Sequence, residues 1–282
     1  MKLGIIDVGG GYRDIYGAGV LDVCMKENIV FDTCIGVSAG SANLASYLSQ
    51  QPGRSYTCYL EYIFRKEYVS IRNWIKKHNY TDTSYLYDTI WGSAGENPLD
   101  YRALKAHPAQ FFVAACNALN GELIWFDKSY IVQDNYDVLK AACALPVINS
   151  PVEIDGLVCM DGGMCDPIPV KKALEEGCDK LVVILTRPID TVRKARFDRF
   201  VAKLIEKRFP CAAQRIRTRS TKYNEGVANA LKLQAEGRAI VVAPDNIEGL
   251  STLTRDRARL QRMYEKGVED AKKVLEFIRD CV

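Results

Sequence analysis

Short runs of apolar residues alternate along this chain with longer segments whose apolar residues recur at helical spacing. The apolar runs predict strands at residues 3–8, 31–37, 111–117, 181–186 and 239–243. Further strands are predicted at residues 121–126 and in a hairpin that turns at Asp155-Gly156. Because helical segments lie between several strands, the pattern predicts an α/β protein in which helices cover both faces of a mostly parallel sheet.

Between residues 52 and 108 the alternation is interrupted by a segment rich in tyrosine and tryptophan. We interpret this segment as a helical insertion, whose aromatic residues pack on the sheet or form the lid or wall of an apolar pocket. We expect residues 1–190 to form a catalytic core. Residues 191–282 are expected to form a basic helical region that completes or caps this core, with a closing helix within residues 253–278.

The pentapeptide Gly36-Val37-Ser38-Ala39-Gly40 follows one predicted strand and precedes a helical pattern at residues 41–48. A serine in this setting is typical of a nucleophile elbow, where flanking glycines allow a sharp turn that exposes the hydroxyl at the carboxyl edge of the sheet. Alternatively, the same five residues form only a Gly-rich turn in which the serine is buried or caps the helix. Ser38 is therefore a candidate nucleophile.

A base for Ser38 is hard to find among the histidines. The chain has two, His78 and His107, whereas hydrolases with this elbow usually place a histidine near the end of the chain. We expect His78 at the surface and His107 in a loop or at a strand entry. Asp161-Gly162-Gly163 ends a predicted strand, and a carboxylate there can take the serine proton from a distance of about 2.6–3.2 Å. Alternatively, Asp161 only stabilises a tight Gly-Gly turn.

A third segment, Gly9-Gly10-Gly11, lies between the first predicted strand and a helical pattern at residues 14–28 that follows Arg13. Consecutive glycines can present N–H groups to an anion, and the dipole of the following helix adds to that preference. The glycine spacing matches neither of the common nucleotide-binding motifs. The segment is therefore a candidate oxyanion loop.

Together, these three segments resemble the patatin-like phospholipase family, which carries a G-G-G-x-R-G loop, a G-x-S-x-G elbow and a later D-G-G or D-G-A. The resemblance covers residues 2–186 in order and spacing. It implies a three-layer α/β/α fold and hydrolysis of lipid esters, phospholipid or lysophospholipid, by a Ser38–Asp161 dyad without a cofactor or metal.

The resemblance also implies roles for the remaining motif residues. The oxyanion hole would be formed by Gly9, Gly10, Gly11 and Arg13 with the N–H of Ala39, and the turns would depend on Gly36, Gly40, Gly162 and Gly163. Asp14 departs from the pattern, because the family usually has glycine there. Its carboxylate would either weaken anion stabilisation or pair with Arg13 and hold the loop.

Charge is distributed unevenly along the chain. Residues 187–222 contain 12 Lys and Arg against 3 Asp and Glu, although the net charge of the chain is only +3. Within this stretch Phe197, Phe200, Val201, Leu204 and Ile205 can share one helical face. Such a basic amphipathic helix either contacts an anionic membrane surface or packs on the core with its basic side in water. Because no recognition motif accompanies the charge, nucleic acid is not an expected partner.

The ten cysteines occur singly, without zinc-binding spacing, and we expect them to be reduced and mostly buried. No signal peptide and no membrane-spanning segment is expected, so the sequence predicts a cytoplasmic protein with at most peripheral membrane contact. The leading hypothesis is a lipid acyl hydrolase. The alternatives are an acyltransferase or thioesterase that uses the same elbow, and a catalytically silent lipid-binding protein.

Overall fold

The computed structural model describes residues 1–279, which are built around a mixed sheet of 8 strands. The strands are β1 (Leu3–Asp7), β2 (Thr33–Gly36), β3 (Gln110–Asn117), β4 (Leu123–Asp127), β5 (Val152–Ile154), β6 (Leu157–Asp161), β7 (Lys180–Ile184) and β8 (Ala239–Val242). Their order is β5-β6-β3-β2-β1-β7-β8, and β4 pairs with the free edge of β3. Since β3, β2, β1, β7 and β8 are mutually parallel, the predicted mostly parallel α/β sheet is confirmed.

Helices cover both faces of this sheet, which is why β1 and β2 consist wholly of buried residues. The helices are α1 (Ile15–Lys26), α2 (Ala39–Leu48), α3 (Arg54–Leu60), α4 (Ile71–Lys77), α5 (Tyr101–Ala106), α6 (Asp137–Ala142), α7 (Val170–Glu175), α8 (Arg196–Ile205), α9 (Pro210–Ala235) and α10 (Arg257–Arg279). No helix within residues 1–279 combines the length and apolar character needed to cross a bilayer.

Strands β2 and β6 meet end to end along one edge of β3. Strand β2 runs parallel to β3, with Gly36 opposite Val113, whereas β6 runs antiparallel to it, with Asp161 opposite Ala115. Strand β4 pairs with β3 from Phe112 to Cys116, which overlaps both the part that pairs with β2 and the part that pairs with β6, so β4 occupies the other edge of β3. The carboxyl ends of β2 and β6 therefore point toward each other, and the residues at these two ends lie close together.

The C-terminal part of the chain is integrated into the same core. Strand β8 extends the sheet by pairing with β7, and α10 packs against α1. Two glycines make this helix contact unusually close: a β-carbon on Gly267 would lie 2.1 Å from the Tyr16 carbonyl oxygen, and one on Gly19 would lie 2.4 Å from that of Tyr264. Neither helix has room for a side chain at these positions.

The amphipathic helix predicted around residues 193–209 is present as α8, but its apolar residues do not all face one way. Ile205 is buried against the core, whereas Phe197, Phe200 and Leu204 are more than half exposed. Asp198 takes a buried position on the inner side. The apolar side of α8 is therefore divided between an exposed stripe and a buried border, and the buried side also holds the ion pairs of Asp198.

The nine cysteines within the described residues are unpaired, and seven of them are buried, as expected. The tenth, Cys281, lies outside the described residues.

Candidate active site

Ser38 lies on a sharp turn between β2 and α2. Its backbone adopts φ 55° and ψ −131°, a conformation that is strained for a residue with a side chain. The turn is held by hydrogen bonds from the N–H of Val37 to the Asp7 carbonyl (3.0 Å) and from the N–H of Gly40 to the Val37 carbonyl (3.0 Å). Hydrogen bonds to the neighbouring strand therefore impose the strain, and the turn places the half-buried serine at the carboxyl edge of the sheet.

The Gly-rich loop lies directly against this turn. Gly9 has φ +68°, and a β-carbon there would lie 2.3 Å from the carbonyl oxygen of Val37. Only glycine allows both this backbone conformation and this approach. The loop is also anchored on its other side, where the Thr186 hydroxyl donates a hydrogen bond to the Gly9 carbonyl at 2.6 Å.

Asp161 is buried and sits at the end of β6, facing the serine. Its Oδ1 accepts the N–H of Gly163 at 2.8 Å, and Asp161 lines the same cavity as Ser38. Burial raises the pKa of Asp161 above its usual range, while the nearby Ser38 hydroxyl, the Gly163 N–H and the charge of Arg219 oppose the shift. The structure thus brings together Ser38 and Asp161, which lie far apart in the sequence.

Three backbone N–H groups in the Gly-rich loop and the serine turn have no hydrogen-bond partner among residues 1–279. No hydrogen bond within residues 1–279 uses the N–H of Gly10, Gly11 or Ala39. The N–H of Gly9, in contrast, donates to Oδ1 of Asp7 at 3.2 Å. The first three N–H groups are therefore unpaired within the described residues, whereas that of Gly9 maintains the loop itself.

Arg13 connects the Gly-rich loop to Thr186 and Thr252. It is almost completely buried, with its Nε donating to the Thr186 carbonyl at 3.3 Å and its Nη1 to Oγ1 of Thr252 at 3.5 Å. The N–H of Tyr12 donates to the Thr252 carbonyl at 2.9 Å. The C-terminal part of the chain therefore holds the outer side of the Gly-rich loop.

Asp14 points into the protein rather than toward the oxyanion loop. Neither of its carboxyl oxygens accepts a hydrogen bond from a described donor group, and the neighbouring carboxyl is that of Asp7. Burial and the charge of Asp7 raise the pKa of Asp14 well above its ordinary value, and burial raises the pKa of Asp7 to about 6. A protonated Asp14 that donates to Asp7 satisfies both groups. Neither of the two roles expected for Asp14 describes this arrangement.

An apolar cavity of about 70 Å³ lies beside Ser38. The aromatic-rich segment contributes much of its wall, through Tyr59, Ile63, Tyr68, Leu86, Tyr87 and Trp91. Residues 85–90 of this segment form a π-helix, an uncommon conformation that is frequent at functional sites. The segment thus both packs on the core and lines the cavity, and it consists of several short helices.

The two histidines lie elsewhere. His78 is exposed at the end of α4, and His107 follows α5, where its Nδ1 accepts the N–H of Ala109 at 3.2 Å. Neither lines a cavity that contains Ser38.

Sequence reasoning missed several supporting residues. Asp7 is the last residue of a buried strand, and its only signal in the sequence is a carboxylate within the apolar run at residues 3–8, shortly before the Gly-rich loop. Thr186 and Thr252 gave no local signal, because they reach the loop only through long-range contacts.

A mostly parallel sheet with a strained serine at its carboxyl edge is an architecture of α/β acyl hydrolases. The family model "Patatin-like phospholipase" matches residues 8–174, and the chain belongs to this family. The resemblance inferred from the three motifs is confirmed. A second family model, a domain of unknown function (DUF6363), matches residues 209–282.

Curated relatives were found in bacteria and yeast. The uncharacterized protein YjjU of Escherichia coli K12 is 31% identical over 192 residues, which are 66% of this chain and 52% of that protein. Lysophospholipase NTE1 of Candida albicans is 21% identical over 192 residues, which are 67% of this chain and 13% of that protein. The chain therefore spans about half the length of the first relative and a small part of the second.

Among solved structures, VipD from Legionella pneumophila aligns with a TM-score of 0.49 and 13% identity, covering 98% of this chain and 67% of that one.

Proposed function

We propose that this protein hydrolyses lipid esters through a Ser38–Asp161 dyad. The observation that carries the proposal is the strained, half-buried serine that shares a cavity with the buried carboxyl group of Asp161. Since burial raises the pKa of Asp161, its carboxylate is a stronger base than an exposed aspartate and better suited to accept a serine proton.

The reaction would proceed in two halves. Ser38 Oγ attacks the ester carbonyl carbon while its proton moves to Asp161. The protonated Asp161 then gives this proton to the departing alcohol oxygen, which leaves an acyl group on Ser38. A water molecule attacks the acyl carbon, loses a proton to Asp161, and releases the fatty acid. Ser38 regains its proton as the acyl bond breaks.

The N–H groups of Gly10, Gly11 and Ala39 would stabilise the oxyanion formed in each half. They are fixed before the reaction, because Gly9 and Arg13 hold the loop against the serine turn. Removing one donor of this kind typically costs about 2.7–4 kcal/mol of transition-state stabilisation.

The substrate class follows from the cavity and from a relative. An apolar, aromatic-lined cavity beside the nucleophile suits an acyl chain. The yeast relative is named a lysophospholipase, and we infer phospholipid or lysophospholipid esters as substrates here. In this proposal the division into a core of residues 1–190 and a completing region of residues 191–282 stays a prediction.

Membrane contact would occur through the basic stretch of residues 187–222. Phe197, Phe200 and Leu204 project from α8 and are 54–67% exposed. Arg199 and Lys203 on the same helix supply positive charge near this apolar stripe. An apolar stripe bordered by basic residues suits the surface of an anionic bilayer.

The decisive experiment is labelling with a fluorophosphonate, followed by intact-mass analysis. We expect one adduct on the wild type, none on Ser38→Ala, and labelling slowed at least 100-fold on Asp161→Asn. The same variants should lose hydrolysis of a short-chain p-nitrophenyl ester. Ser93→Ala is the control, because Ser93 is a serine in a surface turn that hydrogen-bonds Asp134 outside both Ser38 cavities.

Other outcomes would redirect the proposal. Wild-type protein that folds but takes up no label would favour the silent lipid-binding alternative. An adduct that forms at the same rate on Asp161→Asn would exclude the dyad while keeping the nucleophile. Preferential transfer of the acyl group to added alcohol rather than water would favour the acyltransferase alternative.

A further inference from the structure

Ser38 and Asp161 also line a second cavity, of about 100 Å³, whose wall is rich in arginine. Four arginines contribute to it, namely Arg13, Arg187, Arg193 and Arg219. Three of them come from beyond residue 174, where the match to the family model ends. This concentration of positive charge therefore belongs to the part of the chain that the family motifs do not describe.

The arginines are only partly neutralised. Arg193 and Arg219 share the buried carboxylate of Asp198, with a distance of 3.5 Å from Nη2 of Arg193 to Oδ1. Arg187 has no hydrogen-bond or ion-pair partner among residues 1–279. Asp198 pairs with two of the four arginines, which leaves Arg13 and Arg187 without a carboxylate partner among residues 1–279.

Arg13 is the most deeply placed of the four. It bonds only uncharged oxygens, those of Thr186 and Thr252. Burial and the nearby charges of Arg187 and Arg193 lower the pKa of Arg13 to about 9. A buried guanidinium among like charges is unfavourable unless an anion enters, so the cavity is prepared for a negatively charged ligand.

We propose that this arginine cavity binds the phosphate of the lipid head group while the ester lies at Ser38. Ser38 and Leu145 line both the apolar cavity and the arginine cavity, so the serine hydroxyl sits where the two meet. An acyl chain and a phosphate would then extend to opposite sides of the scissile bond. This inference rests on the proposed lipid hydrolysis, although inorganic phosphate offers the same chemistry to the cavity.

Arg187 is the most informative residue to change. Its guanidinium is free of internal partners, so the fork of N–H donors can engage phosphate oxygens in a bidentate manner. Substituting it leaves the Arg193–Asp198–Arg219 ion pairs in place. Arg187→Lys retains the charge but not the fork, and Arg102→Gln is the matched control, since Arg102 is exposed on α5 and outside both cavities.

The first arm measures inorganic phosphate binding by calorimetry, with chloride balancing the ionic strength. We expect the dissociation constant of Arg187→Gln to be at least tenfold higher than that of the wild type and of Arg102→Gln, with Arg187→Lys in between. Equal affinities in all four proteins would overturn the anion site. Melting midpoints measured in parallel identify any variant that fails to fold.

The second arm compares kcat/KM for a 1-acylglycerol 3-phosphate and for the monoacylglycerol with the same chain. We expect the wild type to favour the phosphate ester and Arg187→Gln to lose at least tenfold of this selectivity. An unchanged ratio, with phosphate binding still dependent on Arg187, would assign the cavity to free phosphate and overturn the head-group proposal. If neither lipid is hydrolysed but phosphate binding depends on Arg187, the proposed function fails while the anion site stands.

Discussion

A pair of carboxyl groups, Asp7 and Asp14, lies buried directly beneath the oxyanion loop. Asp7 accepts the N–H of Gly9 and, at 3.4 Å, Nδ2 of Asn43, whereas Asp14 has no such donor. The pair is therefore most stable with one proton, carried by Asp14. Because Asp7 also accepts the N–H of Gly9, the presence of this proton makes the conformation of the Gly-rich loop dependent on pH.

Replacing Asp14 with asparagine should remove this proton requirement. A carboxyl whose pKa is raised on folding contributes stability below its ordinary pKa and loses it as pH rises toward the folded-state pKa. In the wild type the free energy of unfolding should therefore fall as pH rises from about 4. Because asparagine donates to Asp7 without a titrating proton, the advantage of Asp14→Asn should grow as pH rises above about 4, with a limiting slope of about 1.4 kcal/mol per pH unit, until the folded-state pKa of Asp14 is reached.

Urea unfolding of Asp14→Asn at several pH values checks this prediction. Asp190→Asn serves as the control, since Asp190 is exposed. Parallel stability curves for the wild type and Asp14→Asn would contradict the shared proton.

The pH dependence of hydrolysis should report on Asp161. Since burial raises its pKa, activity should fall on the acid side at a pH above the usual aspartate range. Arg219 opposes that shift, and it is the weakest of the influences on this carboxyl. We expect Arg219→Gln to move the acid limb of kcat/KM to higher pH, because the carboxyl group loses a nearby positive charge. Arg217→Gln, whose partner is Glu206, should leave the limb in place.

At the scale of elements, helix α8 has an inner side that holds Asp198 and an outer side that exposes aromatic rings. The ion pairs of Asp198 with Arg193 and Arg219 join α8 to the arginine cavity. The proposed membrane-facing helix and the proposed head-group site are thus connected through Asp198.

Polar substitution on the outer side of α8 should weaken membrane binding without affecting folding. Burying a Phe side chain contributes about 1.5–3 kcal/mol, so Phe200→Ser should reduce partitioning to anionic vesicles at least tenfold in a sedimentation assay. Val30→Ser is the control, because Val30 is 56% exposed but lies outside α8, just before β2. Equal partitioning of Phe200→Ser and the wild type would rule out α8 as the contact.

At the scale of the whole molecule, α10 and β8 tie the C-terminal part of the chain to its first helix and strand. Tyr16 donates to Asp270 at 2.9 Å and Tyr264 donates to Asp22 at 2.7 Å, so two hydrogen bonds flank the glycine contact between α1 and α10. We expect the two parts to unfold together in one transition.

Gly267→Ala tests this coupling. Alanine favours a helix by about 0.8–1.0 kcal/mol over glycine, but its β-carbon would lie 2.1 Å from the Tyr16 backbone oxygen and cannot rotate away. The clash should prevail and destabilise the protein by about 1–3 kcal/mol, observed as a lower melting midpoint for a single calorimetric transition. Lys272→Ala, at an exposed position of α10, should change little. Two separate transitions would contradict the coupling.

Sequence patterns predicted the strands and helices that depend mainly on neighbouring residues in the sequence. The short apolar runs became β1, β2, β3, β7 and β8, because buried parallel strands require continuous apolar residues. Helix α9 lies within the C-terminal region that was predicted to be helical, but its bounds were not predicted, since its long run is rich in Ala, Arg, Ser and Thr and has no clear apolar stripe. Its burial depends on contacts with distant elements.

The sequence by itself determined the family, the elbow around Ser38, the Gly-rich loop and the aspartate with its two glycines, because sharp turns place strict demands on neighbouring residues. Only the tertiary structure decided that Asp161 meets Ser38, since this depends on two strands ending against one edge of β3. It also turned Asp14 inward to Asp7 and gathered Arg187, Arg193 and Arg219 beside Arg13. Charges that are far apart in the sequence interact only where packing brings them together, so no local pattern could have revealed them.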